Sequence, residues 1–226
     1  KHEPAELAKH RDVRCAASEN TIREALTGNY RPEHVFALKQ ALELWDFYQA
    51  KVAECDVEIE GALEALNEKR PAPAKPLPAR RQQKVKHEPN FDVRTALYTM
   101  LGADLSQIHG FGPYTVLRLV AECGDDMTKW PTEKHFTSWL SLAPGNKISG
   151  GRVLSSNTRR SSNRTAALLR LIAVTIGKTQ TALGAFYRRL AFRVGKAKAI
   201  TATARKLAIL VYRTLKDGLV YRDPGA

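Results

Sequence analysis

Between Pro32 and Lys69 the apolar residues fall at Val35, Leu38, Leu42, Trp45, Tyr48, Val52, Cys55, Ile59, Ala62 and Leu66. The steps alternate between three and four, with one shortened step from Trp45 to Tyr48, which is the spacing of a heptad seam. At 1.5 Å per residue the helix it predicts is roughly 55 Å long. Such a seam implies a helical partner, either another copy of the chain or an antiparallel helix. The alternative is a long amphipathic helix lying on the protein's own core. Upstream, Ser18 is placed to cap a short helix over Thr21–Leu26, with Gly28 as its stop. Downstream, the pattern predicts helices over 92–101, about 113–122, from Pro131–Thr132 with an apolar face at Phe136, Trp139 and Leu140, and over 164–176, 180–194 and 200–216. Four breakers between Ala143 and Gly151 restrict that stretch to a loop or short hairpin.

The chain therefore reads as mainly α: a long coiled-coil helix followed by a compact helical domain that contains a helix-hairpin-helix-like motif and the Gly-rich loop. Residues 1–30 form a helical lead-in, 31–70 the coiled coil, and 92–226 the C-terminal domain. The intervening 71–91 carry prolines at 71, 73, 76, 78 and 89 together with several cations. Proline lacks an amide hydrogen and cannot sustain a helix or central strand, so this stretch is read as an extended basic linker.

Composition narrows the class. Of the 226 residues 43% are hydrophobic and 26% charged, close to the globular average, and no apolar run approaches the roughly 20 residues of a membrane span. Cys15, Cys55 and Cys123 are too scattered for a disulfide framework or a zinc site, and a reducing cytoplasm is the expected compartment. The sequence starts at Lys1 without a methionine or a signal-like segment, so a fragment of a longer protein is expected.

The net charge of +13 is uneven. Residues 1–70 are net −4, residues 71–95 net +4 and residues 96–226 net +13. Between Glu133 and Asp217 there is no acidic residue, yet 17 Lys and Arg lie there. A one-signed surface of this kind calls for a polyanion partner.

Two motifs carry candidate chemistry. In Ile108-His-Gly110-Phe111-Gly112-Pro113 a tight turn precedes a helix start, an arrangement that offers backbone amides and a positive dipole end to a phosphate. It is similar to the helix-hairpin-helix motif of DNA-binding proteins, and the alternative is a tight αα-corner with no ligand. In Lys147-Ile-Ser149-Gly-Gly-Arg152 a hydroxyl stands between two cations, although a serine needs an activating base or a strongly polarised target to attack. Arg159, Arg160, Asn163 and Arg164 follow, with forked guanidinium groups suited to phosphate and Ser162 as a possible cap of the next helix.

Several runs arrive together in one order: Tyr30-Arg-Pro-Glu-His, Ile108-His-Gly-Phe-Gly, Leu140-Ser-Leu-Ala-Pro144, Ser149-Gly-Gly, Asn157-Thr-Arg-Arg-Ser-Ser-Asn-Arg164, Ala182-Leu-Gly-Ala-Phe-Tyr-Arg-Arg189, Gly195-Lys-Ala-Lys-Ala and Ala204-Arg-Lys-Leu-Ala208. In this nearly the whole chain resembles the DEDD transposases of insertion sequence family one-hundred-and-ten. The resemblance implies a RuvC-like domain ahead of the coiled coil, with four acidic residues that hold Mg²⁺, and a C-terminal transposase domain whose serine attacks a DNA phosphodiester. Carried onto this sequence, that serine is Ser149, with a neighbouring serine as the alternative. The implied nucleic-acid contacts are Gly110, Phe111, Gly112, Lys147, Arg152, Arg159, Arg160, Asn163 and Arg164. The implied partners are DNA, a guide RNA encoded by the element, and further copies of the chain joined through the coiled coil.

The sequence departs from the family's pattern in two places. No metal-binding DEDD set can be assigned, because the acids concentrate on the coiled coil at solvated spacings, so no metal or cofactor is expected in this chain. Arg159-Arg-Ser-Ser-Asn163 also lacks the glycine that many members have before the asparagine. Two other readings remain at this stage: a non-catalytic helix-hairpin-helix binding module dimerised by the coil, and an assembly protein that works mainly through the coil.

Overall fold

The computed structural model describes residues 3–28, 30–80 and 88–225. Among them nine α-helices, two short strands and two 3₁₀ turns follow one another, so the chain is mainly α. Contacts divide it into two units, Lys1–Glu54 and Cys55–Ala226. Residues 81–87 of the expected linker lie outside the described residues.

In the first unit α1 (Pro4–Ala8) packs against α2 (Glu19–Leu26). Ser18 caps α2 as its sequence position predicts, its hydroxyl accepting from the Thr21 amide at 3.1 Å. Helix α3 (Pro32–Asn67) opens with proline at its first position and Glu33 in its first turn, both favourable at an N-terminus. Val35, Leu38, Leu42, Trp45, Tyr48 and Val52 are all exposed, from 48% at Val35 to 71% at Leu38. The predicted helix is present, and its seam is uncovered in the single chain.

The last turns of α3 belong to the second unit and keep only part of the seam on its core. Leu63 is buried and Ile59 packs on the core, while Ala62 and Leu66 of the predicted seam are exposed. Asn67 donates to the Ala96 carbonyl at 2.9 Å. Arg70 donates to the Met100 carbonyl at 2.7 Å and pairs with Asp125 at 2.5 Å. Here the helix lies on its own core, and the contacts of that core decide which residues face inward.

Residues 75–79 are held by the domain that follows them. Buried Arg94, on α4 (Val93–Leu101), donates to the Pro78 carbonyl at 2.7 Å, Tyr98 to the Lys75 carbonyl at 2.8 Å, and Gln107 to the Ala79 carbonyl at 3.1 Å. Pro76 and Pro78 have no amide hydrogen to donate but leave the segment's carbonyls free, and Arg94 and Tyr98 of α4 with Gln107 beyond it supply the donors. Arg94 also pairs with Asp104, whose side chain is only 4% exposed. Burial pushes the Asp104 carboxyl up, but hydrogen bonds from Arg94, Ser106 and Gln107 outweigh it and hold the carboxyl below the ordinary range.

The core of the second unit gathers α5 (Pro113–Cys123), α6 (Glu133–Trp139), α7 (Arg164–Ile176), α8 (Ala182–Val194) and α9 (Lys196–Asp217). Leu169, Ala173 and Ile176 of α7 meet Leu207, Ala208 and Val211 of α9 in it, and Leu119 of α5 and Phe136 of α6 complete it. Tyr212 of α9 is buried and donates to the Trp130 carbonyl at 2.7 Å, fixing the turn that leads into α6. Gly184 lets α8 approach the end of α7: a Cβ there would stand 2.3 Å from the Thr179 carbonyl oxygen. Helix α9 begins at Lys196, four residues before its apolar periodicity suggests, because Gly195 at φ 88° ends α8 and opens α9 directly. No described helix is long and apolar enough to cross a membrane.

Candidate functional site

The stretch read as loop or hairpin is a hairpin. Strands β1 (Lys147–Ser149) and β2 (Arg152–Ser155) pair antiparallel, joined by Gly150 and Gly151 with φ of 53° and 74°. A two-residue turn of this hand needs positive φ at both positions, which two glycines supply without a Cβ penalty. Ser149 pairs with Arg152 next to the turn and Lys147 with Ser155, and Leu154 is the extra residue of a bulge. Directly opposed residues share a face, and so do residues two apart on a strand. Lys147, Ser149 and Arg152 therefore line one face of the ribbon, with Ile148 and Val153 on the other. All five are exposed.

The Ser149 hydroxyl thus stands beside two cations at the tip of a solvent-exposed ribbon. Among the described residues it has no hydrogen-bond partner, so no base within them prepares it for attack. The described residues hold no group of three or more His, Cys, Asp or Glu able to bind a metal ion.

The cations beyond the hairpin divide by their partners. Arg159 donates to the Ser138 carbonyl at 3.3 Å and to the Ser138 hydroxyl at 3.2 Å, tying the returning strand to α6. Arg164 is largely exposed and pairs with Glu122 of α5 at 3.2 Å. Arg160 is exposed and makes no ion pair with a described residue. Asn163, rather than Ser162, caps α7: its side-chain oxygen accepts from the Ala166 amide at 2.9 Å. That oxygen is committed to the helix start, so the part of Asn163 left for a ligand is its amide nitrogen.

The glycine turn before α5 is built into the core. Phe111 is fully buried, as is Ile108 but for 1%. Phe111 therefore offers no side-chain surface to nucleic acid, and its expected role as a contact is corrected to that of an anchor for the turn. Gly110 has φ 87°, and a Cβ there would meet the Ile172 side chain at 2.5 Å. It too serves close packing against α7. What remains for a phosphate is the start of α5, where Gly112 is an N-cap with no side-chain acceptor. The element before the turn is α4 followed by a 3₁₀ turn over Leu105–Gln107.

At the base of the hairpin the structure joins parts that the sequence reading kept separate. Pro144 bridges Thr158, and the Gly145 amide donates to the Asn157 carbonyl at 3.0 Å. Against this base lies a face of α9 that carries Lys198, Thr201 and Arg205. Both cations lie in runs that carry the family resemblance, and neither is among the candidate contacts the sequence singles out. Their spacing of seven, inside the acid-free stretch, was the available signal.

No curated protein and no solved structure matches the chain. Residues 102–188, less than half of the chain, match the family model described as Transposase IS116/IS110/IS902 family, so the stretch that holds the hairpin, the cation cluster and α7 is similar to transposases of that family.

Proposed function

We propose that this chain is the nucleic-acid-binding and nucleophile-bearing part of a DNA transposase. The observation that carries the reading is the match of residues 102–188 to a transposase family, because that stretch contains Ser149 and its flanking cations. The acid-free run with its 17 cations supports DNA as partner, and a guide RNA encoded by the element as a second polyanion. The uncovered seam of α3 is assigned to pairing with a second copy of the chain.

Each group in the site has a task on this reading. Lys147 and Arg152 hold the phosphate at the ribbon face, where their charge also offsets the negative charge that builds on its oxygens. The Ser149 oxygen bonds to that phosphorus as the phosphorus–oxygen bond to the leaving strand breaks. The serine proton passes to a base, and the leaving oxygen takes one up. Arg159, Arg160 and Arg164 position the flanking backbone. The base and any metal-holding carboxylates come from outside the described residues, so these residues alone bind nucleic acid without cutting it.

The test is Ser149→Ala in the intact protein. Recombination falls below detection while nucleic-acid binding is unchanged. Undiminished recombination would instead favour the non-catalytic binding module, to which the lack of a base beside Ser149 lends weight.

A further inference from the structure

A cleft of about 370 Å³ separates the base of the hairpin from the N-terminal half of α9. Pro144, Asn157 and Thr158 form one wall and Lys198, Thr201 and Arg205 the other. Every lining residue comes from the stretch between Glu133 and Asp217, so the cleft contains two cations and no carboxylate.

Arg205 is the unusual member. It is half-buried, and its Nε is shielded from solvent without a hydrogen-bond partner among the described residues. A buried donor left without a partner is costly, and more so on a charged group. The other basic side chains near the hairpin are exposed or already held, as Arg159 is by Ser138. The remaining donors point to the same ligand chemistry. The Ser156 and Thr158 hydroxyls donate to no described residue. Helix α9 starts at Gly195 without a side-chain cap, and Ala197 and Lys198 of its first turn line the cleft. Hydroxyl donors, an uncapped helix start and the Arg205 guanidinium in the wall together suit a tetrahedral oxyanion.

We propose that this cleft binds a phosphate group, with Arg205 as its principal donor and Lys198 at its rim. Two sources share that chemistry, a backbone phosphate of nucleic acid and a free phosphate or nucleotide. The first rests on the function proposed above, and the second does not. As a backbone site, the cleft would grip a strand at the foot of the ribbon. Ser149 lies five residues beyond Pro144 of the cleft wall, roughly 17 Å along an extended strand at 3.3 Å per residue.

The experiment compares the wild-type chain with Arg205→Gln, Arg205→Lys and Lys206→Gln. Lys206 is exposed, lies over the Phe186 ring and serves as a control of equal charge loss outside the cleft. Affinity for a DNA duplex and for a single-stranded RNA is measured from 50 to 200 mM salt, and the melting temperature with and without inorganic phosphate. A backbone site predicts that Arg205→Gln weakens binding about tenfold to a hundredfold and lowers the salt slope by about one. Arg205→Lys recovers part of the loss, and Lys206→Gln changes little.

If nucleic-acid binding is the same in all four proteins but phosphate raises the melting temperature of wild type and not of Arg205→Gln, the ligand is a free phosphate or nucleotide. Equal losses in Arg205→Gln and Lys206→Gln, or no effect of Arg205→Gln in either measurement, overturn the proposal. A wild-type chain that binds neither polynucleotide defeats the function proposed above, and the phosphate melting measurement still decides the cleft.

Discussion

Asp104 shows how one carboxylate organises a segment that cannot organise itself. It holds Arg94, and Arg94 in turn holds the Pro78 carbonyl, so a proline-rich stretch gains a fixed path through a single buried ion pair. Removing one partner of such a pair strands the other charge out of water, at a cost of about 3–5 kcal/mol. Asp104→Asn is therefore expected to lower unfolding stability by that amount in urea denaturation, and a loss below about 1 kcal/mol would contradict the assignment. The carboxyl is held below its ordinary value in the folded state, so its contribution is complete above the normal aspartate range, near 3.9, and is lost as pH falls through the lower folded value. Stability of wild type should thus fall more steeply below about pH 4 than that of Asp104→Asn. None of this was legible in the sequence, where Arg94 and Asp104 are ordinary charges ten residues apart. By contrast, the Ser18 cap and the turn-forming Gly150–Gly151 could be read directly, because each depends only on its immediate neighbours.

Among the elements, the helices with a clear apolar period lie close to their expected positions, and α7 begins and ends as predicted. The misreadings have local causes. Helix α9 starts early because Lys196-Ala-Lys-Ala carries no apolar stripe, and only the backbone at Gly195 marks the boundary. The α7 cap was expected at Ser162 because serine and asparagine compete for that role, and the structure gives it to Asn163. Asn163→Ala is expected to cost about 1 kcal/mol of stability while Ser162→Ala costs a few tenths, measured by thermal or urea unfolding. The reverse order would contradict the capping seen here. Phe111 was misplaced for a related reason. An aromatic residue between two glycines resembles an exposed loop residue in sequence, and only the packing around α5 and α7 reveals it as core.

At the scale of the molecule, the sequence already separated an acidic front from a basic remainder and located a long helix with an apolar seam. It could not show that the last turns of α3 keep Ile59 of the seam on the core but bury Leu63 in place of Ala62 and Leu66, because that choice depends on what lies opposite. The uncovered part, from Val35 to Val52, leads to a direct expectation. Replacing Leu42 and Trp45 together by Glu should convert an oligomer to a monomer in analytical ultracentrifugation at micromolar concentration, with helical content largely kept. An unchanged sedimentation coefficient would remove the seam as the interface.

Ser149 presents an exposed hydroxyl beside Lys147 and Arg152 on a ribbon inside the transposase-like stretch. The measurement that tests its role as nucleophile most directly is a denaturing-gel assay for a covalent protein–DNA adduct, using the intact protein and DNA that carries its own element's ends. Wild type is expected to form an adduct that disappears in Ser149→Ala while binding is retained. An adduct that persists in Ser149→Ala, or none in wild type despite active strand exchange, would contradict that role.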